Sequence, residues 1–246
     1  MPGVLAWAVM SVTTPGFNEV WRWDGWTNDS EQASGGAVDL DGNVILVGSQ
    51  GMVVEESEDF AAVKLSASGE LLWTWTDSSL ESAADSFSAV GTDSNSDLIM
   101  GGSTGGDWAS SNADAKTHLA VIKIHGGTGE EIWRYQDHPS ASSAMYAGSG
   151  GSASALMWDV AVDGEDNVVL VGQTYGSLVE GEGDPGDSDM FVTKLDGTDG
   201  SEIWKTQKGG PSSFDALLGS RLTRWEISLL LASVETKTHW ISLFSS

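Results

Sequence analysis

The sequence predicts an all-β chain assembled from repeated four-stranded units, and three observations predict it. A hairpin signature recurs: Gly36-Ala37-Val38-Asp39-Leu40-Asp41-Gly42-Asn43-Val44-Ile45-Leu46-Val47-Gly48 returns closely at residues 159–172 and more loosely at 88–101. A second strand–turn–strand unit follows each copy, at residues 59–75, 119–135 and 190–204, with Gly69, Gly129 and Gly200 in the turns. Each of these units closes on a tryptophan, Trp73, Trp133 or Trp204, and Trp21 stands in the same register near the start.

The first element is half a unit. Residues 7–12 and 19–23 read as two strands about a Pro15-Gly16 turn, the second half of a repeat. Either they complete a unit begun at the other end of the chain or the chain is truncated. The apolar run 4–10 is too short to span a membrane and lacks the basic flank of a secretory signal. Each whole repeat then supplies two strands about the Asp41-Gly42 type of turn and two about the Gly69 type. One such sheet cannot bury both faces alone, and neighbours stacked around an axis can. The expected architecture is therefore a β-propeller of four-stranded blades, with a coiled solenoid of sheets as the alternative. Counting from tryptophan to tryptophan gives blades at about 21–72, 73–132 and 133–203, partial ones at 1–20 and 204–218, and a repeat region of 1–218. Length varies at 49–58, 103–117 and 173–188 inside blades, and at 76–87 and 136–156 between them. An up-and-down meander brings these long loops to one face and the short turns to the other. A binding site is expected on the long-loop face.

The hairpins at 38–48 and 162–172 resemble the V-D-x-x-G-N-V-x-V-x-G pattern of bacterial seven-bladed-propeller repeat proteins and their quinoprotein-like relatives. The Gly-x-x-x-Trp endings resemble the tryptophan-docking motif of quinoprotein dehydrogenases, which implies that Trp73, Trp133 and Trp204 pack between blades. The resemblance covers roughly residues 7–216 and implies fold far more than function. Lys123 and Lys194 stand where that motif has a small residue, and His125 where it has Asp. Those dehydrogenases place an adjacent cysteine pair against the quinone, and this chain has no Cys. No cofactor-binding residue is carried over.

Charge and composition exclude several chemistries. With 36 acidic residues against 11 basic ones, a formal charge of -25 repels nucleic acid and anionic membrane. Without Cys there is no disulfide, thiol nucleophile or thiolate metal site. His118, His125, His138 and His239 lack metal-ligand spacing, and Gly126-Gly127 is turn material rather than a phosphate loop. No catalytic residue is assigned.

Two sets of candidates remain. Asp39, Asp41 and Asn43 have oxygen ligands at spacings that calcium loops use, yet an Asx turn explains the same residues. Asp93 to Asp97 and Asp163 to Asn167 repeat the ambiguity. Glu182, Asp184, Asp187 and Asp189 lie in the most acidic loop, matched by Glu55, Glu56 and Glu58 in the first blade, and calcium is the cation such loops would take. Trp26, Trp108 and Tyr146 fall in or near variable loops, where an aromatic either stacks on a sugar or protein partner or anchors its own loop. Lys64, Lys123 and Lys194 recur at one strand position and are expected to reach solvent or an inter-blade carboxylate.

The tail, 219–246, departs from all of this. Where another A-V-D-x-x-G-N hairpin is due, the chain turns basic and Leu-rich. Codons taken one base out of frame must give Gly across Trp225-Glu226 and Asn or Asp across Glu226-Ile227. They permit Gly across Leu231-Ala232 and Val-Ala-Val-Asp across residues 219–223. The tail is thus either a frameshift product, expected to be disordered, or a genuine C-terminal helix over residues 225–234.

The leading expectation for function is a non-enzymatic, extracellular or surface-exposed propeller that presents an acidic, aromatic-bearing loop face to a protein, glycan or cation. The alternatives are a quinoprotein- or hydrolase-type propeller enzyme with its site at the central channel, and a fragment without function.

Overall fold

The computed structural model describes residues 20–23, 25, 30–52, 57–78, 84–106, 108, 117–140, 153–180, 188–209, 215–223, 226–233 and 239–244, and for the last three strands it describes the backbone. Every regular element among them is a strand. Four run β1 (Ser30–Val38), β2 (Val44–Met52), β3 (Ser57–Leu65) and β4 (Leu71–Asp77), hydrogen-bonded in that order. The second sheet is β5 (Asp85–Thr92), β6 (Leu98–Thr104), β7 (His118–Ile124) and β8 (Glu131–Asp137). The third is β9 (Ser154–Val162), β10 (Val168–Tyr175), β11 (Asp189–Leu195) and β12 (Glu202–Lys208). Each is an antiparallel meander, consistent with a propeller blade. Trp73, Trp133 and Trp204 lie on the fourth strand of their own sheets, so the tryptophan-to-tryptophan boundaries run out of phase with the sheets by one strand.

A last sheet holds β13 (Asp215–Thr223), β14 (Glu226–Ser233) and β15 (His239–Phe244). The helix considered for residues 225–234 is corrected: residues 226–233 form a strand. The physical reason is pairing. Antiparallel β13 and β14 run in register from Asp215↔Ser233 to Thr223↔Glu226 and satisfy each other's backbone groups.

The first strand of each sheet carries a bulge, between Ala33 and Gly35, between Phe87 and Ala89, and in β9 opposite Val171 and Gly172. The bulge explains the glycine that ends the hairpin signature. A Cβ at Gly48, Gly102 or Gly172 would lie 1.9, 2.0 or 2.1 Å from the carbonyl oxygen of Gln32, Ser86 or Leu156 across the ladder. The same bulge recurs between Leu217 and Gly219, and there the register gives the glycine position to Leu231.

Contacts between sheets are sequential. β5 packs across β1, β2 and β3, β9 across β5, β6 and β7, and β13 across β9, β10 and β11. The core accordingly lies in layers between sheets. Ile45, Val47, Phe60 and Ala62 meet Leu98, Met100, Ala120 and Ile122, and Ile99, Val121 and Trp133 meet Met157, Leu170 and Phe191. On the outer side of the first sheet, Trp21 and Trp23 cover Val44, Leu46, Val63 and Leu65. The fourth strands form the solvent edge, exposing Leu72, Ile132 and Ile203 at matching positions. The tight turns gather at one end of the stack, and the strand ends that lead into the longer connections lie at the other.

Candidate functional site

At the tight-turn end, the residues considered for calcium form a clasp. Asp39 Oδ1 accepts the backbone N–H groups of Asp41 and Asn43, each at 2.9 Å, and Oδ2 accepts Asn43 Nδ2 at 2.9 Å. The cation at this carboxylate is the Lys64 ammonium, 2.7 Å away. Burial alone pushes the Asp39 carboxyl up, but Lys64 and the Asn43 donors outweigh it and hold the pKa down to about 2. Asp41 itself is exposed. Asp93 repeats the turn with Asn95, Asp97 and Lys123, and Asp163 repeats it with Glu165, Asn167 and Lys194. The left-handed residue of the first turn is Gly42, as the sequence suggests, but in the other two it is Ser96 and Asp166 rather than Gly164. Asp166 uses that strained position to accept Ser94 N and Oγ from the neighbouring sheet.

Lys64 and Lys123 each reach a carboxylate within their own sheet and a backbone carbonyl in the next, whereas Lys194 is paired with Asp163 of its own sheet. Lys64 Nζ donates to Gly126 O at 2.6 Å, and Trp73 Nε1 donates to the same oxygen at 3.2 Å. Lys123 and Trp133 converge on Gly197 O at 2.7 and 3.1 Å. Register explains the convergence, because Lys64 pairs with Trp73 and Lys123 with Trp133 across β3–β4 and β7–β8. Trp21 docks in the same way on Ala67 O at 3.0 Å.

The long-loop end has a clasp of its own that the sequence reading missed. Gln136 Oε1 accepts Trp108 N, while its Nε2 lies 2.9 Å from Gly106 O and 2.8 Å from His118 Nδ1. Gln207 does the same with Leu178 N, Gly176 O and Asp189 Oδ2. The available signal was a glutamine three residues after the closing tryptophan in both blades. Asp189, considered for the acidic-loop calcium site, is therefore a buried partner of Gln207. Glu182, Asp184 and Asp187 lie outside the described residues, as do Trp26 and Tyr146.

Trp108 is an anchor. It is buried beside Phe60, donates Nε1 to Asp77 Oδ2 at 3.1 Å and lies under the Arg134 guanidinium. Arg134 also pairs with Asp77 and Glu131, and Lys205 pairs with Asp137 and Glu202. Around Trp108 the carboxylates crowd: burial first, then Asp85 and Asp77, push the Asp59 pKa up. Asp85 is fully buried and accepts Thr104 Oγ1 at 2.6 Å. Among the described residues no group of three or more His, Asp or Glu is placed to hold a metal ion.

No protein-family model and no curated protein matches the chain. Among solved structures it is similar to a quinohemoprotein alcohol dehydrogenase from Pseudomonas putida HK5, at 16% identity and a TM-score of 0.43. The match covers 81% of this chain and 31% of that one, so the chain spans under a third of that protein.

Proposed function

We propose that the chain forms part of a β-propeller that works as a non-catalytic binding scaffold, with its long-loop face turned to a cation-bearing partner. The partner class is a protein, a glycan held through calcium, or calcium itself. One observation carries this reading: the two ends of the stack use charge differently. At the tight-turn end Lys64, Lys123 and Lys194 neutralise Asp39, Asp93 and Asp163 one for one. At the long-loop end Asp77 and Asp85 act on Asp59 to push its pKa up, after burial, and of the three it is Asp77 that pairs with Arg134, which also holds Glu131. The surplus there favours a partner that brings positive charge.

The test is calorimetric titration of the purified chain with calcium, with a lysine-rich peptide and with neutral oligosaccharides. Binding of calcium or peptide that weakens severalfold in Asp59→Asn supports the scaffold reading. A quinone absorption band, or turnover of an alcohol or ester, sinks it in favour of the enzyme reading.

A second reading concerns the tail, and Leu231 favours it. Leu231 occupies the register position where three sheets require glycine, and the shifted frame permits glycine across Leu231-Ala232. Residues from about 219 onward would then be read out of frame. The transcript sequence across residues 215–232 decides the matter: a one-base correction that restores V-D-x-x-G-N supports the shift, and an intact frame refutes it.

A further inference from the structure

The two glutamine clasps at the long-loop end are built alike but differ in one partner. In the third sheet Gln207 Oε1 accepts Leu178 N at 2.8 Å, and its Nε2 donates to Gly176 O at 2.9 Å and to Asp189 Oδ2 at 2.6 Å. In the second sheet Gln136 Oε1 accepts Trp108 N at 2.9 Å, and its Nε2 reaches Gly106 O at 2.9 Å and His118 Nδ1 at 2.8 Å. His118 and Asp189 occupy the same place, each being the first residue of the third strand of its sheet. Both are buried. The glutamine thus meets a carboxylate in one sheet and an imidazole in the other.

The backbone fixes which way the Gln136 amide points. Trp108 N is a donor and takes the amide oxygen, and Gly106 O is an acceptor and takes the amide nitrogen. A second N–H of Nε2 is then aimed at His118 Nδ1, so that ring nitrogen must accept. The clasp therefore selects the neutral tautomer of His118, with its proton on Nε2. An amide turned over to face a protonated Nδ1 would set its NH2 group against the Trp108 N–H and its oxygen against Gly106 O. Clasp and imidazolium exclude one another. The carboxylate of Asp189 imposes no such choice, because an ionised carboxylate only accepts.

We propose that His118 makes the clasp of the second sheet acid-sensitive. A proton on its Nδ1 breaks the contact with Gln136 and frees the backbone of Gly106 and Trp108 from β8, while the Gln207 clasp of the third sheet stays shut. The ionisable and charged groups at this end of the first two sheets are Glu58 and Asp59 on β3, Asp77 on β4, Asp85 on β5, and Arg134, Asp137 and His138 on β8. Ser49 bonds Glu58, Trp108 and Arg134 bond Asp77, Thr104 bonds Asp85, and Lys205 bonds Asp137. Asp85, Thr104 and His118 share one row of the ladder. β9 meets the same end through Ser154 and Ala155, which carry no charge. The His138 ring lies 5.7 Å from that of His118, so a charge on either ring opposes a charge on the other.

The test follows amide hydrogen exchange at Trp108 and Leu178 by NMR in the full chain, since each N–H is the one its glutamine receives. Between about pH 7.5 and about pH 5.5, after correction for intrinsic exchange chemistry, protection at Trp108 should fall at least about tenfold, and protection at Leu178 should hold within about twofold. His118→Asp copies the third sheet and should remove the pH dependence at Trp108, whereas His138→Phe should leave it in place. The imidazole nitrogen resonances of the natural chain give a second readout that needs no variant to fold. An unprotonated His118 Nδ1 at about pH 7.5, gaining its proton in step with the loss of protection at Trp108, supports the proposal. A protonated Nδ1 at that pH overturns it. So does constant protection at Trp108, an equal fall at Leu178, or a fall that survives His118→Asp.

Discussion

Trp133 and Trp204 are the same residue in two consecutive repeats, and comparing their surroundings separates what a blade supplies from what its neighbour supplies. Both stand opposite a lysine on the adjacent strand, and both lysines hold the aspartate of their own first hairpin. Among the described residues, of the two only Trp133 meets a carbonyl and lies buried. The pair Lys123–Asp93 is sealed, with side chains 7% and 0% exposed, whereas Lys194–Asp163 stands at 15% and 13%. The blade provides the clasp and the next blade keeps water out of it.

The largest break in this comparison comes from the lysines. Lys123→Ala strands a buried carboxylate and should cost about 4 kcal/mol, whereas Lys194→Ala at the wetter joint should cost about 1–2 kcal/mol. Urea unfolding of both variants checks the difference, and equal losses would refute it. The tryptophans come next: Trp133→Ala should cost about 3 kcal/mol and Trp204→Ala less than about 1 kcal/mol when measured on dilute protein.

Acid sharpens the comparison further. The folded pKa of Asp39 lies below its ordinary value, so its contribution is fully present above about pH 4 and is lost as pH falls toward 2. The stability gap between the natural chain and Asp39→Asn should therefore narrow over that window. Asp163 is also lowered, by the Lys194 ammonium and by the Glu165 and Asn167 N–H groups against the opposing effect of burial, and should show the same sign with a smaller swing. The smallest effect is a gain. Thr193 is buried with no partner for its hydroxyl among the described residues, where the other blades have Val63 and Ile122. Thr193→Val should stabilise the second joint by about 1 kcal/mol.

Much of this was legible in the sequence wherever the chemistry is local. The turn at Asp39-Leu40-Asp41-Gly42-Asn43 is written in five consecutive residues, whereas the bulge was not read from the sequence, although Gly48, Gly102 and Gly172 stand where it demands glycine. The recurrence of Lys64, Lys123 and Lys194 showed that the position matters, but not that the ammonium bridges its own sheet to the next one's backbone. The clasps at Gln136 and Gln207 escaped because they join groups that only the folded loop brings together. Trp108 could not be placed for the same reason, since its partners Asp77 and Arg134 belong to different sheets. The tail misled because its composition suits a helix while its backbone pairs as strands.

The joint between blades also bears on how such a chain can change its length. The giving blade contributes two specific side chains, but the receiving blade contributes a main-chain oxygen, at Ala67, Gly126 or Gly197. At that oxygen nothing in the receiver's side-chain identity is read. A repeat inserted, deleted or transplanted by recombination would find its seat ready, provided its turn kept the same backbone shape. At this contact neighbouring repeats can thus diverge without paired substitutions, and the ion pairs Arg134–Asp77 and Lys205–Asp137 are where side chains of adjacent sheets must still match.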